Sequence, residues 1–158
     1  LWAALRDGVI TTMGTDTCPY TRQEKEQGGN LWCALPGFAT GVEIFCAAMI
    51  SEGVNKGRLS LEQMVKVTSE GTARLLNLYP RKGALVPGAD ADIVIVDPNR
   101  ETTVRSKEMV TRSKEWSPFE GMKLKGLPVF TMVMGEIMAE NRELVGKPNG
   151  RFVPVKKS

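Results

Sequence analysis

The apolar residues of this 158-residue chain change their spacing near Pro80, and this change constrains the fold more than any other feature. Before it, apolar side chains recur at helical spacing in residues 40–50 and again after residue 60. After it, apolar runs at residues 91–96 and 129–134 are bounded by glycine and proline, which indicates β-strands. We therefore predict an α/β region in residues 1–81 and a β region in residues 82–158.

The first region begins with the composition of a buried parallel strand. Residues 8–15 (GVITTMGT) are rich in β-branched side chains and end in a Gly-Thr-Asp turn, so the strand would present Asp16 at its C-terminal end. Residues 17–37 are polar and interrupted by glycine and proline, which predicts a long loop with one helical turn at residues 22–27. Loops of this length are usually functional or disordered.

Helices are predicted to close the first region. Ser60 and Gln63 fit a capping box at the start of one of them, and Gly53 offers an end to the helix before it. The apolar positions that would share the core-facing sides are Val42, Phe45, Cys46 and Met49, then Leu61, Met64 and Val65, then Ala73, Leu75 and Leu76.

The second region is predicted to be a β structure. Both alternating faces of residues 91–96 (ADIVIV) are apolar, so this strand should be covered on both sides, as in a sandwich of two sheets. Residues 129–134 and 136–140 should form two strands around Gly135.

Composition excludes several classes of function. The net charge is only +3 because 21 Lys and Arg are interleaved with 18 Asp and Glu, so we predict no nucleic-acid partner and interpret residues 105–114 as a solvated face. No apolar run approaches the length of a membrane span, about 20 residues. Cys18, Cys33 and Cys46 form no CxxC pair, which argues against a disulfide scaffold or a cysteine zinc site and favours the cytoplasm.

Asp16 is the main candidate for a catalytic residue. An aspartate at this place is also a common turn former or helix N-cap. In (β/α)8 barrels, however, the active site lies at the C-terminal ends of the strands, so a carboxylate there would face the barrel mouth. Cys18 lies close by, but it has no neighbouring base in the sequence and is interpreted as a core residue. Trp2, Trp32 and Trp116 are interpreted as packing or interface residues.

Several motifs carry a resemblance to a known family. Residues 15–20 (TDTCPY) resemble the TDHCPF segment that ends the last barrel strand of hydantoinases and dihydropyrimidinases, and residues 41–43 (GVE) resemble the segment after their substrate loop. Residues 82–95 resemble the KGxI..GxDADLVI run of the wider amidohydrolase superfamily. Residues 117–121 (SPFEG) and 124–126 (LKG) have counterparts there too, so the similarity covers nearly the whole chain.

The resemblance implies both fold and activity. Residues 1–81 would be the last strand and closing helices of a (β/α)8 TIM-type barrel, and residues 82–158 would be the C-terminal half of a small β-sandwich whose other strands come from the N-terminus of the full chain. The chain opens on Leu1, which suggests a partial sequence. The implied protein is a cytoplasmic hydrolase of cyclic amides that forms homo-oligomers, often tetramers.

The resemblance also implies a metal centre. Family members hold two divalent metals, of zinc type, with histidines, a carboxylated lysine and the aspartate that corresponds to Asp16, which is both a metal ligand and the general base and acid. This chain contains no histidine. Most ligands would therefore lie outside it, and the isolated chain should be inactive.

Two departures from the family pattern concern the substrate. Thr17 stands where hydantoinases usually have histidine, and residues 35–41 (LPGFATG) stand where many have PNGxPG, a loop whose backbone binds the ring amide. Gly37 falls near the asparagine position and could offer backbone groups to an imide edge, or it could be only a turn residue. Dihydroorotase, allantoinase and a non-catalytic dihydropyrimidinase-like assembly protein remain alternatives.

Overall fold

A computed structural model of the protein describes residues 1–35, 37 and 40–155. The helices are α1 (Trp2–Arg6), α2 (Arg22–Glu26), α3 (Gly41–Ala48), α4 (Leu61–Val65) and α5 (Gly71–Leu75). Short 3-10 helices occupy Leu31–Cys33 and Ser106–Glu108, and π-helical turns occupy Met49–Val54 and Lys66–Glu70. The strands are β1 (Ile93–Thr103), β2 (Lys123–Val133), β3 (Glu136–Glu140) and β4 (Glu143–Leu144).

The predicted capping box at Ser60 is confirmed, and a second one forms at Thr21, which was not predicted. Thr21 caps α2 through the backbone N–H of Glu24, and Ser60 caps α4 through that of Gln63, with the reciprocal side-chain bond present in each case. The helical turn expected at residues 22–27 is therefore confirmed as α2. After α4, the π-helical turn leads directly into α5, so the two short helices expected in this region form one continuous helical run.

The predicted apolar faces of these helices are confirmed in part: Met49, Met64 and Ala73 are buried, and Phe45 and Cys46 pack on a buried cluster. In α3 the buried residues are Gly41, Ile44 and Ala47, whereas Val42 is 62% exposed. In the helical run of α4 and α5 the expected core residues that prove exposed are Leu61, Val65, Leu75 and Leu76. Spacing alone identifies an apolar stripe, but the packing partners decide which side of a helix is covered.

The strand predicted over residues 8–15 does not form. This segment has irregular backbone, and the N–H of Met13 donates to the carbonyl of Val67 at 2.9 Å, across to the helical run. A strand requires a partner strand for its backbone groups, and the segment instead lies against helices. The prediction of a buried segment is wrong as well: Ile10 and Met13 are half-buried against a core cluster, but Val9 is 78% exposed and none of residues 8–15 is buried.

The strands form one antiparallel sheet in the order β1-β2-β3-β4. The predicted hairpin around Gly135 is confirmed: Val133 pairs with Glu136, and the two turn residues Met134 and Gly135 both have positive φ, as a type I′ turn requires. The prediction that β1 is covered on both faces is wrong for this structure, because Val94 is 49% and Ile95 44% exposed.

The hydrophobic core consists of two clusters that meet at α3. The first joins α1 to the helical region and contains Leu5, Met49, Ile50, Leu59, Met64 and Val67. The second contains Ile44, Ala47, Val104, Met109, Leu124 and Leu127. Because the second cluster takes residues from both sides of position 81, the helical and β regions share one core. Within the part of the chain that the structure describes, no helix is long and apolar enough to cross a membrane.

Candidate functional site

Asp16 lies in an exposed, irregular segment that the helical run holds in place. The carbonyl oxygen of Thr11 lies 2.0 Å from the point where a side chain on Gly71 would begin, so this backbone directly contacts the start of α5. Asp16 itself has φ +47°, a left-handed conformation that aspartate tolerates better than most residues. The hydroxyl of Thr17 donates to that of Thr15 at 3.0 Å and thereby closes the turn around Asp16.

Gly37 lies next to this turn. A Cβ atom on Gly37 would lie 2.6 Å from the Cβ of Cys18, 2.9 Å from its Sγ and 3.5 Å from the carbonyl oxygen of Asp16. Gly37 also has φ +80°, so both its conformation and its surroundings require glycine. The two candidate residues taken from the sequence are thus close together, while Pro36, Phe38 and Ala39 of the same loop lie outside the described residues.

The side chain of Lys25 contacts the backbone around Gly37. Its ammonium group donates to the carbonyl oxygen of Leu35 at 2.8 Å and to that of Gly37. The same group lies 5.8 Å from the centre of the Trp116 ring, within the range of a cation–π contact. Lys25 therefore joins α2, the loop and the segment that contains Trp116.

Helix α2 is fixed at its N-terminus by Glu24. The carboxylate accepts the backbone N–H of Thr21 at 2.7 Å and the hydroxyl of the same residue at 2.9 Å, and it pairs with Arg112 at 2.9 Å. These donors, the backbone N–H first, lower the pKa of Glu24, which keeps the carboxylate charged. The position of Lys25 on α2 follows from this anchoring.

The far end of the loop is held by a buried hydroxyl pair. Thr40 is fully buried, and its hydroxyl lies 2.8 Å from that of Ser117, which also accepts the backbone N–H of Phe119 at 3.1 Å. One hydroxyl of the pair donates and the other accepts. The SPFEG motif therefore contacts the loop, and Ser117 and Trp116 are neighbours in sequence.

The Glu43 side chain of the GVE motif binds two backbone N–H groups and one arginine of the β region. It accepts the backbone N–H groups of Val110 at 2.9 Å and Thr111 at 3.3 Å, and Arg142 lies 3.8 Å from its other oxygen. These contacts connect the first turn of α3 to the loop after β1 and to the β3-β4 turn. Glu43 thus fixes α3, which begins directly after the loop.

The residues present do not by themselves form a metal site. Across residues 1–35, 37 and 40–155 there is no group of three or more His, Cys, Asp or Glu side chains that could hold an ion. Asp16 supplies one exposed carboxylate, a hard oxygen donor. The thiols Cys18, Cys33 and Cys46 are free, and burial raises the pKa of Cys46.

The sequence pointed to Asp16 and Gly37 but missed Lys25 and Thr40. The capping box at Thr21 could have indicated that Lys25 follows on a short helix, but nothing in the sequence shows that its ammonium group reaches backbone carbonyls 10 and 12 residues away. The three tryptophans differ: Trp2 packs against the first cluster, Trp116 is 37% exposed beside Lys25, and Trp32 is 94% exposed. Of the two interpretations given for Trp32, a core packing residue is thus wrong, and an interface residue stays a prediction.

Comparison with known proteins gives a consistent result. A profile described as the Amidohydrolase family matches residues 1–138. Among curated proteins, the chain is 43% identical over 155 residues to an L-hydantoinase of Paenarthrobacter aurescens and 39% identical to a D-hydantoinase of Geobacillus stearothermophilus. Each alignment covers 97% of this chain and 33% of the relative. A dihydropyrimidinase of Dictyostelium discoideum is 38% identical over 151 residues, 95% of this chain and 30% of the relative.

Solved structures agree with the sequence comparison. A D-hydantoinase structure superimposes with a TM-score of 0.87 at 36% identity, over 96% of this chain and 33% of that one. The L-hydantoinase from Arthrobacter aurescens gives 0.82 at 41% identity, over 92% of this chain and 32% of that one. The chain thus spans about a third of the length of the proteins it matches.

Proposed function

Because this chain belongs to the amidohydrolase family, we propose that it is part of a hydrolase that opens cyclic amides such as hydantoins and dihydropyrimidines. The names of the relatives, L-hydantoinase, D-hydantoinase and dihydropyrimidinase, support this class of substrate. One observation carries the proposal: Asp16 and the backbone of Gly37 are adjacent, with 3.5 Å between the Asp16 carbonyl oxygen and the Cβ position of Gly37. The residue proposed for proton transfer and the backbone proposed to bind an amide edge are therefore neighbours.

The proposed role of Asp16 is to move one proton. Its carboxylate takes the proton from the water oxygen that adds to the ring carbonyl carbon, and it then gives the proton to the ring nitrogen when the C–N bond breaks. The products are an open-chain amide or urea group and a carboxylic acid, which releases the second proton of the water to solvent at neutral pH and becomes a carboxylate. The exposed position of Asp16 in the turn leaves the carboxylate accessible for this work.

The proposed role of Gly37 is to bind the substrate through its backbone. A cyclic imide presents alternating C=O and N–H groups, which a backbone N–H and C=O can match without a side chain. The close contact with Cys18 means that this chain has no space for the asparagine side chain that related loops carry near this position. Glycine at position 37 is compatible with backbone recognition.

Asp16 is also proposed as one ligand of a divalent metal pair, zinc in the simplest case. Such a pair would polarise the substrate carbonyl and lower the pKa of water. The chain has no histidine, and its described residues form no cluster of ligands, so the remaining ligands must come from elsewhere in the complete protein. We propose on the same grounds that this chain is inactive alone.

The proposal extends to architecture and assembly. The likeness to hydantoinase structures supports residues 1–81 as the last segment and closing helices of a TIM-type barrel, in which residues 8–15, irregular here, would take strand partners from the rest of the protein, and residues 82–158 as half of a β-sandwich. Strands from the rest of the protein would then cover Val94 and Ile95, which are half exposed here. A cytoplasmic homo-oligomer, often a tetramer, remains part of the proposal, and three free thiols fit a reducing compartment.

The substrate class is tested with the full-length protein assayed on hydantoin, dihydrouracil, dihydroorotate and allantoin. We expect hydrolysis of hydantoin or dihydrouracil. Activity on dihydroorotate or allantoin alone would reassign the protein to those branches of the family. Failure on all four with metal supplied would support a non-catalytic relative.

The role of Asp16 is tested with Asp16→Asn in the full-length protein. We expect turnover to fall by about two orders of magnitude or more, the order expected when a general base is lost, while the folded structure is kept. Asp7→Asn is the matched control, since Asp7 is exposed and pairs only with its neighbour Arg6 among the residues described. Near-normal turnover of Asp16→Asn would remove Asp16 from catalysis.

A further inference from the structure

The charged ammonium group of Lys25 donates hydrogen bonds to backbone carbonyl oxygens. In residues 1–35, 37 and 40–155, no carboxylate lies within ion-pair distance of its ammonium group, whereas Lys82, the other half-buried cation in these residues, pairs with Asp90 at 3.0 Å. The Lys25 group instead donates to Leu35 and Gly37 and lies over the Trp116 ring. A half-buried ammonium that satisfies itself on two carbonyls of one loop restrains that loop strongly, because charged hydrogen bonds exceed neutral ones in strength.

The two carbonyls that Lys25 binds are two residues apart, on either side of position 36. Binding both fixes the direction of the backbone at Gly37, which is already in close contact with Cys18 and with the carbonyl of Asp16. Without the ammonium group, the carbonyl oxygens of Leu35 and Gly37 would have to find other donors. The backbone at Gly37 would then be free to move away from Asp16.

A second attachment reaches the same part of the molecule. The hydroxyl of buried Thr40 meets that of Ser117, next to the Trp116 ring that Lys25 covers. The loop of residues 35–41 is thus held at Leu35 and Gly37 through Lys25, which lies over Trp116. It is held again at Thr40 through Ser117. Of the two attachments, the one through Lys25 acts directly on Gly37.

We propose that Lys25 is a positioning residue that holds the Gly37 backbone where it binds the amide edge of the substrate. This inference rests on the proposed function, because it assigns the substrate contact to Gly37. Lys25 itself does not touch the reacting atoms. Its loss should therefore weaken substrate binding more than it slows the chemical step, which Asp16 performs.

The test compares Lys25→Met and Lys25→Arg in the full-length protein. Lys25→Met keeps much of the aliphatic stem but removes the donors, and we expect KM for the cyclic amide to rise about tenfold or more, with kcat within about threefold, as for a lost charged hydrogen bond. Lys25→Arg keeps the charge and should restore most of the affinity. A purely structural role would reduce the fraction of active protein, so kcat would fall and KM would stay the same.

Hydrogen exchange provides a readout that does not depend on activity. Amide exchange in peptides that contain Leu35 and Gly37 should be faster in Lys25→Met than in the parent protein. Arg22→Met is the matched control: it removes a cation from the same helix, but one that binds Glu26 at 2.6 Å, and both KM and loop exchange should be unchanged.

The outcomes separate this inference from the proposed function. If the parent protein hydrolyses cyclic amides but Lys25→Met has unchanged KM, the inference is overturned whatever the exchange result. Unchanged exchange in Lys25→Met overturns it as well. If the parent protein hydrolyses no cyclic amide, the proposed function fails and the substrate role of Lys25 fails with it, while faster exchange would still establish that Lys25 restrains the loop.

Discussion

At the scale of single residues, the site is built from backbone conformations that few amino acids adopt. Asp16 has φ +47° and Gly37 has φ +80°, and a Cβ atom on Gly37 would lie close to both Cys18 and the carbonyl oxygen of Asp16. Left-handed conformations cost most side chains about 1–2 kcal/mol, so such residues persist where the surroundings hold them. The contacts of Lys25 with Leu35 and Gly37 are part of those surroundings.

Gly37→Ala should destabilise the protein for two reasons. The left-handed conformation costs about 1–2 kcal/mol for an L side chain, and the new methyl group would overlap the Cβ of Cys18, 2.6 Å away, at a further cost of about 1–3 kcal/mol. The measurement is the free energy of unfolding in urea. The sum predicts a large loss for a single methyl group.

Gly29→Ala separates the two costs. Gly29 has φ +66° but no atom within 4 Å of its Cβ position, so only the conformational cost applies. We expect Gly37→Ala to lose at least about 1 kcal/mol more than Gly29→Ala. Equal losses would mean that the contact between Gly37 and Cys18 is not a tight one.

At the scale of elements, the helices α2 and α4 begin with the same kind of capping box, but only α4 contributes a buried residue to the core. Ser60 caps α4, whose Met64 is 6% exposed and belongs to the first cluster. Thr21 caps α2, which has no buried residue and is fixed instead by Glu24, Arg112 and the contacts of Lys25. The same local signal therefore supports the core in one case and the site in the other.

Ser60→Ala should lower the global free energy of unfolding by about 1 kcal/mol, the usual loss of an N-cap. Thr21→Ala should lower it by less, because α2 contributes no buried side chain, but it should speed amide exchange in α2 itself. Ser60→Asp retains a capping oxygen and should restore stability. Equal global losses in Ser60→Ala and Thr21→Ala would contradict this division.

At the scale of the whole molecule, the helical and β regions are joined by a shared hydrophobic cluster. Ile44 and Ala47 of α3 pack with Leu124 and Leu127 of β2, and Gly126 brings the strand so close to the helical region that a Cβ atom there would lie 2.3 Å from Ile50. The side chain of Asn55 also donates to the carbonyl of Lys125 at 3.0 Å. Regions with a common core are expected to unfold together.

Leu124→Ala tests this coupling. Leu124 is 2% exposed, so we expect a loss of about 2–5 kcal/mol, with amide protection lowered in α3 as well as in β2. Leu144→Ala is the control, because Leu144 is 71% exposed and should change stability little. Two separate unfolding transitions, with only the β region affected by Leu124→Ala, would show that the regions are independent.

The sequence alone determined those features that depend on local chemistry. The capping box at Ser60, the helical turn at residues 22–27, the hairpin around Gly135 and a strand at residues 91–96 were predicted, because caps, turns and strand composition act over a few neighbouring residues. Asp16 and Gly37 were named as candidates because short motifs around them resemble those of a known family.

Only the tertiary structure decided which surfaces are covered and which distant residues meet. It exposed Val42 and Leu61, left residues 8–15 without a strand partner and brought Lys25 to the carbonyls of Leu35 and Gly37. Burial and long-range hydrogen bonds depend on the relative placement of whole elements, and the spacing of residues within one element does not contain that placement.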